Sequence, residues 1–92
     1  MGAQSQMEEL KKRLDDIKVF GEAEGKVTVT ANANKKIEDI TFNDELLNDK
    51  EQLQDLIVLA TNRALENAHN VSESEMRHMA ATLMPGLGGL FK

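Results

Sequence analysis

Few side chains in this chain are equipped for chemistry, and their spacing argues against a catalytic centre. The two histidines, His69 and His78, stand nine residues apart. A helix advances about 100° per residue, so they lie roughly 180° from each other and cannot grip one metal ion within a chain. Cysteine is absent, which removes thiol nucleophiles, thiolate metal sites and disulfides together. Adjacent carboxyl pairs occur at Asp15–Asp16 and Asp44–Glu45. General acid–base work needs surroundings that separate one carboxyl's protonation from its neighbour's, and neighbours on an exposed helix or turn have none. Ser72 and Ser74 are followed by a histidine, but nothing suggests a base oriented by a third group. Gly86-Leu-Gly-Gly lacks the Lys-Ser/Thr, the strand and the helix that frame a phosphate loop. The expectation is a non-enzyme, with no cofactor, metal or small-molecule substrate.

The remaining chemistry is cationic. Lys11, Lys12, Arg13 and Lys18 fall at the end of a first helix, Lys35 and Lys36 at a hairpin tip, and Arg63 on a last helix. Helix ends and loop tips suit contacts to phosphate. Aromatic residues are limited to three phenylalanines, and none is interleaved with the basic groups, so base stacking on single strands is not expected. Eleven basic side chains face sixteen acidic ones, a net charge of −5, which by itself speaks against a nucleic-acid partner.

These groups must be carried by one small domain. Ninety-two residues bury only about 60–65% of the surface of the unfolded chain, so a lone copy is marginal. Met7, Leu10, Leu14 and Ile17 form a narrow apolar seam and predict a helix over 4–18. Residues 26–31 alternate strictly, with Val27, Val29 and Ala31 on one side and Lys26, Thr28 and Thr30 on the other, which is a half-buried strand. Asn32-Ala-Asn-Lys35 reads as a turn, because asparagine tolerates left-handed backbone. A second strand over 37–42 completes a hairpin, and Lys18–Glu22 predicts a third strand, since an isolated hairpin is barely stable. Residues 43–48 form a polar connection whose two leucines can plug the sheet edge.

A long helix follows. Asp49 stands as N-cap with Gln52 three residues on. Leu53, Leu56, Ile57, Ala60, Ala64, Leu65 and Ala68 recur at helical spacing, and Val58 and Leu59 widen the stripe. So broad an apolar surface has two sides to hide. One covers the sheet. The other predicts a second copy of the chain, with Leu56, Val58, Leu59 and Leu65 as candidate dimer-interface residues. The helix is expected to run to about Met84, with a bend near Val71, where Ser72 and Glu75 resemble a second capping box. Residues 1–84 are thus read as a single α+β domain: N-terminal helix, three-stranded antiparallel sheet, long C-terminal helix. Residues 85–92 are read as a flexible Gly/Pro tail. The chain shows neither a run of about 18 apolar residues nor a secretory leader, so the expectation is a cytoplasmic protein that spans no membrane. The alternative to a phosphate-binding role is a protein-interaction module built on the Met-rich end of the long helix, at Met76, Met79 and Met84.

The pattern from Lys12 to Leu90 resembles the bacterial YbaB/EbfC family of nucleoid-associated DNA-binding proteins. The resemblance rests on Lys-Lys-Arg-Leu-Asp at 11–15, Gly-Glu-Ala-Glu-Gly-Lys-Val-Thr-Val at 21–29 and Lys-Lys-Ile-Glu-Asp-Ile at 35–40. It continues through Asp-Lys-Glu-Gln-Leu-Gln-Asp-Leu-Ile at 49–57, Asn-Arg-Ala-Leu-Glu at 62–66 and Met-Pro-Gly-Leu at 84–87. The first helix is shorter than is usual in the family. The resemblance implies a homodimer located at the nucleoid that binds double-stranded DNA without catalysis. Its candidate DNA contacts are Lys11, Lys12, Arg13, Lys18, Lys35, Lys36 and Arg63.

Overall fold

The computed structural model describes residues 2–83. Its order is α1 (Gly2–Asp16), β1 (Lys18–Ala23), β2 (Val27–Asn32), β3 (Ile37–Phe42), a 3-10 helix (Asp44–Asn48) and α2 (Lys50–Leu83). This is the expected α+β arrangement. The sheet is antiparallel in the order β1-β2-β3. The tail expected over 85–92 lies outside the described residues.

α2 begins as its sequence directs, with the Gln52 amide donating to Asp49 Oδ1 at 3.1 Å. It then runs unbroken through Val71 to Leu83. The helix does not break at the possible second cap: Ser72 and Glu75 lie inside it, and Ala68 and Val71, just ahead of them, pack on the core. α1 ends at Asp16, two residues earlier than the helix expected over 4–18, and Lys18 opens β1, as the strand expected over Lys18–Glu22 has it.

α2 lies across β1 and β2, and its buried line is made of small residues. Leu56, Ala60, Ala64 and Ala68 meet Val19, Ala23, Val27, Val29 and Ala31. Gly21 is the closest point. A Cβ there would stand 2.0 Å from the Ala60 carbonyl oxygen and 2.3 Å from the Ala64 nitrogen, so strand and helix touch backbone to backbone. Of the two leucines expected to plug the edge, Leu46 is buried in this core and Leu47 is exposed.

A second, smaller cluster joins α1 to the far half of α2: Leu10, Leu14 and Ala33, with Ile17, Val71 and Met79 packed against them. The radius of gyration is 17.2 Å, against about 12 Å for a compact chain of this length. The long helix carries the molecule out to 57 Å in one direction while the sheet layer stays thin.

The two sheet edges differ. On β1, Arg63 Nη1 donates to the Glu22 carbonyl and Asn67 Nδ2 to the Phe20 carbonyl, each at 2.7 Å, so α2 caps that edge. β3 has no such cover. Its residues Ile37, Ile40 and Phe42 pair with Ala31, Val29 and Val27 and therefore face the helix side of the sheet. Yet each is exposed, Ile40 by 40%, because α2 sits over the other two strands.

Candidate nucleic-acid interface

The seven cations singled out in the sequence do not form one group. Arg63 is bound to the β1 edge, remote from the others. Lys18 pairs with Glu38, the extra residue of a bulge in β3, and Arg13 pairs with Glu75 of α2 at 3.3 Å. Four lysines remain together. Asn34 Nδ2 donates to the Lys11 carbonyl at 2.9 Å, which lays the β2–β3 turn, with Lys35 and Lys36, against the part of α1 that carries Lys11 and Lys12. All four are exposed, and among the described residues none makes an ion pair.

The turn differs from its sequence reading. The left-handed residue is Lys35, at φ +67°, and not an asparagine. The asparagines act through their side chains. Asn32 is only 3% exposed, and its Oδ1 accepts from the amides of Asn34 and Lys36 while its Nδ2 donates to Glu38 Oε2. Asn34 Nδ2 also donates to Asp15 Oδ1 at 2.6 Å. The Lys18 hydrogen bond, more than that of Asn32, holds the Glu38 carboxyl below its ordinary range. Its folded value is depressed, so this bridge adds stability above the ordinary carboxylate range and loses it as pH falls through the lowered value. At neutral pH it is intact.

Charge is segregated along the molecule. Over residues 22–26 and 43–55, at the end holding the β1–β2 turn and the start of α2, seven acidic side chains stand against two basic ones. That net of −5 equals the charge of the whole chain. Over 11–18 and 32–39, at the opposite end, six basic side chains stand against four acidic ones, a net of +2. The acidic bulk balance thus hides a locally basic end.

The chain matches the model of the YbaB/EbfC DNA-binding family over residues 2–83. The chain belongs to the YbaB/EbfC DNA-binding family. Similar proteins include a nucleoid-associated protein of Flavobacterium johnsoniae, 39% identical, with the match covering 95% of this chain and 83% of that protein. Another, from Thermus thermophilus, is 37% identical over 97% of this chain and 89% of the relative. An uncharacterized protein of Helicobacter pylori, solved by crystallography, shares this fold at a TM-score of 0.72 and 23% identity, covering 85% of this chain and 94% of that one.

The four candidate interface residues also separate. Leu56 is buried in the protomer's own core at 4% exposure and is not available to a second copy. Arg63 and Asn67, which reach the β1 edge, fix which side of α2 faces outward there. At about 100° per residue, Leu59 falls on that same flank, whereas Leu65 and Val58 fall on the opposite flank, toward β3. Val58 is 59% exposed and Leu65 half-buried. Of the Met-rich end, Met79 is packed against the α1 cluster and Met76 is exposed. Met84 lies outside the described residues.

Sequence reading missed three working residues. Asn67 and Asn34 gave no signal, since an asparagine on a helix and another in a turn look alike in any surface. Glu75 was read only as a helix cap. No helix among the described residues is long and apolar enough to cross a membrane, and no acidic or histidine cluster among them could hold a metal.

Proposed function

We propose that this chain is a homodimeric, non-catalytic protein of the bacterial nucleoid that binds duplex DNA through the phosphate backbone, with Lys11, Lys12, Lys35 and Lys36 as its principal contacts. The observation that carries this is the lysine cluster: two sequence-distant pairs brought together, unpaired, at the basic end of a chain of the YbaB/EbfC DNA-binding family. Nucleoid-associated relatives support the location. Two copies would double the set of cations, and no aromatic residue is interleaved with the lysines in the sequence, which favours backbone contact over base stacking.

The bare edge of β3 and the apolar shelf beside it support a second copy docking on this side. Ile37, Ile40 and Phe42 form the floor, and Val58 and Leu65 the adjoining wall. A twofold axis perpendicular to the sheet beside β3 would run the two copies' β3 strands antiparallel and set the two floors side by side on one face, as a self-complementary interface requires. Light scattering on the purified protein is expected to give a dimer at micromolar concentration.

Fluorescence anisotropy on duplex DNA over a salt series tests the binding. Each phosphate neutralised adds about 0.9 to the slope of log K against log salt. Lys35→Glu with Lys36→Glu should weaken binding to all duplex sequences alike, by about tenfold or more near 0.1 M salt. No binding at low salt by the full-length dimer would sink the proposal.

Glu75→Gln supplies a check of opposite sign. It releases Arg13 from its partner at little cost, since an exposed pair contributes at most about 1 kcal/mol. The freed guanidinium should raise DNA affinity several-fold and steepen the salt slope by up to about 0.9. An unchanged slope would remove Arg13 from the contact set.

A further inference from the structure

The structure assigns to the turn Asn32–Lys36 a second task beyond carrying two lysines: we propose that it is the joint that aims α1, and that Asn34 is the positioning residue that makes the two lysine pairs act as one phosphate-binding unit. The inference rests on the DNA-binding reading above and deepens it.

α1 has little else to hold its direction. Among the described residues its apolar seam contributes Leu10 and Leu14 to a small cluster, and its ion pair, Arg13–Glu75, is exposed. The turn grips its C-terminal end at several points. The Ala33 amide donates to the carbonyls of Leu14 and Ile17 at 3.1 and 3.0 Å, satisfying groups that a helix end leaves open. Asn34 Nδ2 adds the Lys11 carbonyl and the Asp15 carboxylate, 2.9 and 2.6 Å away. Asn32 braces the turn from inside and ties it to Asp15 and Glu38. Only Asn32 of this network is buried, Asn34 is half-buried, and Asp15, Lys18 and Glu38 are exposed, so it is the number of bonds converging on one turn that favours one geometry over others. The β3 bulge brings Glu38 into it, and Lys18 of β1 completes it, so all three strands and α1 meet at this point.

The consequence is coupling. DNA phosphates are spaced regularly, so four lysines engage together only if the two pairs keep their relative placement. Removing Asn34's amide leaves every charge in place and loosens only that placement.

The test uses the full chain with Asn34→Ala. Near 0.1 M salt, DNA affinity should fall about tenfold and the salt slope should drop by about one, the loss of one phosphate contact. A merely destabilised protein would bind less without changing its slope. Aim is read separately from DNA: the chain has no native cysteine, so spin labels at Glu9→Cys and Asn62→Cys report α1 against α2. Labelled chains are diluted into unlabelled ones, so that only distances within a protomer are read. Asn34→Ala should broaden that distance distribution. Asn34→Ser, too short to span both acceptors, should do the same and guards against a variant that fails to fold. A wild-type slope together with wild-type distances in both variants overturns the joint. If the parent protein binds no duplex at low salt, the DNA reading fails, and the coupling fails with it. The spin-label distances still show whether the turn aims the helix, so the two failures are told apart.

Discussion

Gly21→Ala should leave this protein unable to hold its helix against its sheet. The added methyl would stand 2.0 Å from the Ala60 carbonyl oxygen and 2.3 Å from the Ala64 nitrogen. Both are helix backbone, and neither can turn aside as a long side chain does. The whole of α2 would have to lift off β1, opening the layer formed by Ala23, Val27 and Val29. Forcing extra volume into a packed core costs about 1–3 kcal/mol even where side chains can adjust, and more where they cannot. For a domain of this size each kcal/mol lowers the melting temperature by roughly 4–8 °C. Thermal unfolding followed by circular dichroism should therefore show a drop of about 15 °C or more, or no cooperative transition. Alanine at Gly25, whose φ is +68° but whose surroundings are open, should cost far less, about 1 kcal/mol of backbone strain. Equal effects at the two glycines would show that packing at Gly21 is not the cause.

Ile40→Glu should convert the proposed dimer to a monomer without unfolding it. Ile40 faces the helix side of β3, is 40% exposed, and lies on the shelf assigned to the second copy. In a lone protomer the glutamate reaches water. In a twofold assembly two carboxylates would be buried near the axis without partners, each a desolvation penalty of several kcal/mol. The dissociation constant should rise by about a thousandfold or more. Sedimentation at micromolar concentration would then report a single chain with a native circular-dichroism spectrum. Leu59→Glu, on the opposite flank of α2, should stay dimeric. If both variants remain dimers, the second copy sits elsewhere. If Leu59→Glu alone dissociates, the interface lies on the β1 side.

The fold was largely legible because its signals are local. Strict alternation over 26–31, the Asp49 cap and the small-residue spacing along α2 each report one element without reference to the others. What could not be read is how elements meet. The line Leu53, Leu56, Ala60, Ala64 was visible, but that Leu56 belongs to the protomer's own core and Val58 to its uncovered flank depends on where the helix lies on the sheet. The same limit applied to the cations. Lys18 looked like the end of a helix until the strand claimed it, and Arg63 looked like a surface charge until the strand edge claimed its guanidinium. The join between Lys11 and Lys35 depends on Asn34 crossing 23 positions of sequence, which no periodicity records. The asparagines of the turn were chosen for the wrong property. Their backbone tolerance drew attention, while their amide groups do the holding.

The unequal treatment of the two sheet borders limits how large an assembly can grow. A layer with both borders open can recruit neighbours without end and lengthen into a fibre. Here Arg63 and Asn67 occupy the Glu22 and Phe20 carbonyls of one border, which disfavours a strand adding there and leaves β3 the more open of the two. If two copies join there as proposed, each would present the outside with its guarded β1 margin. Growth would then stop at a pair, with the count set by two side chains of a helix and not by any property of the strands themselves.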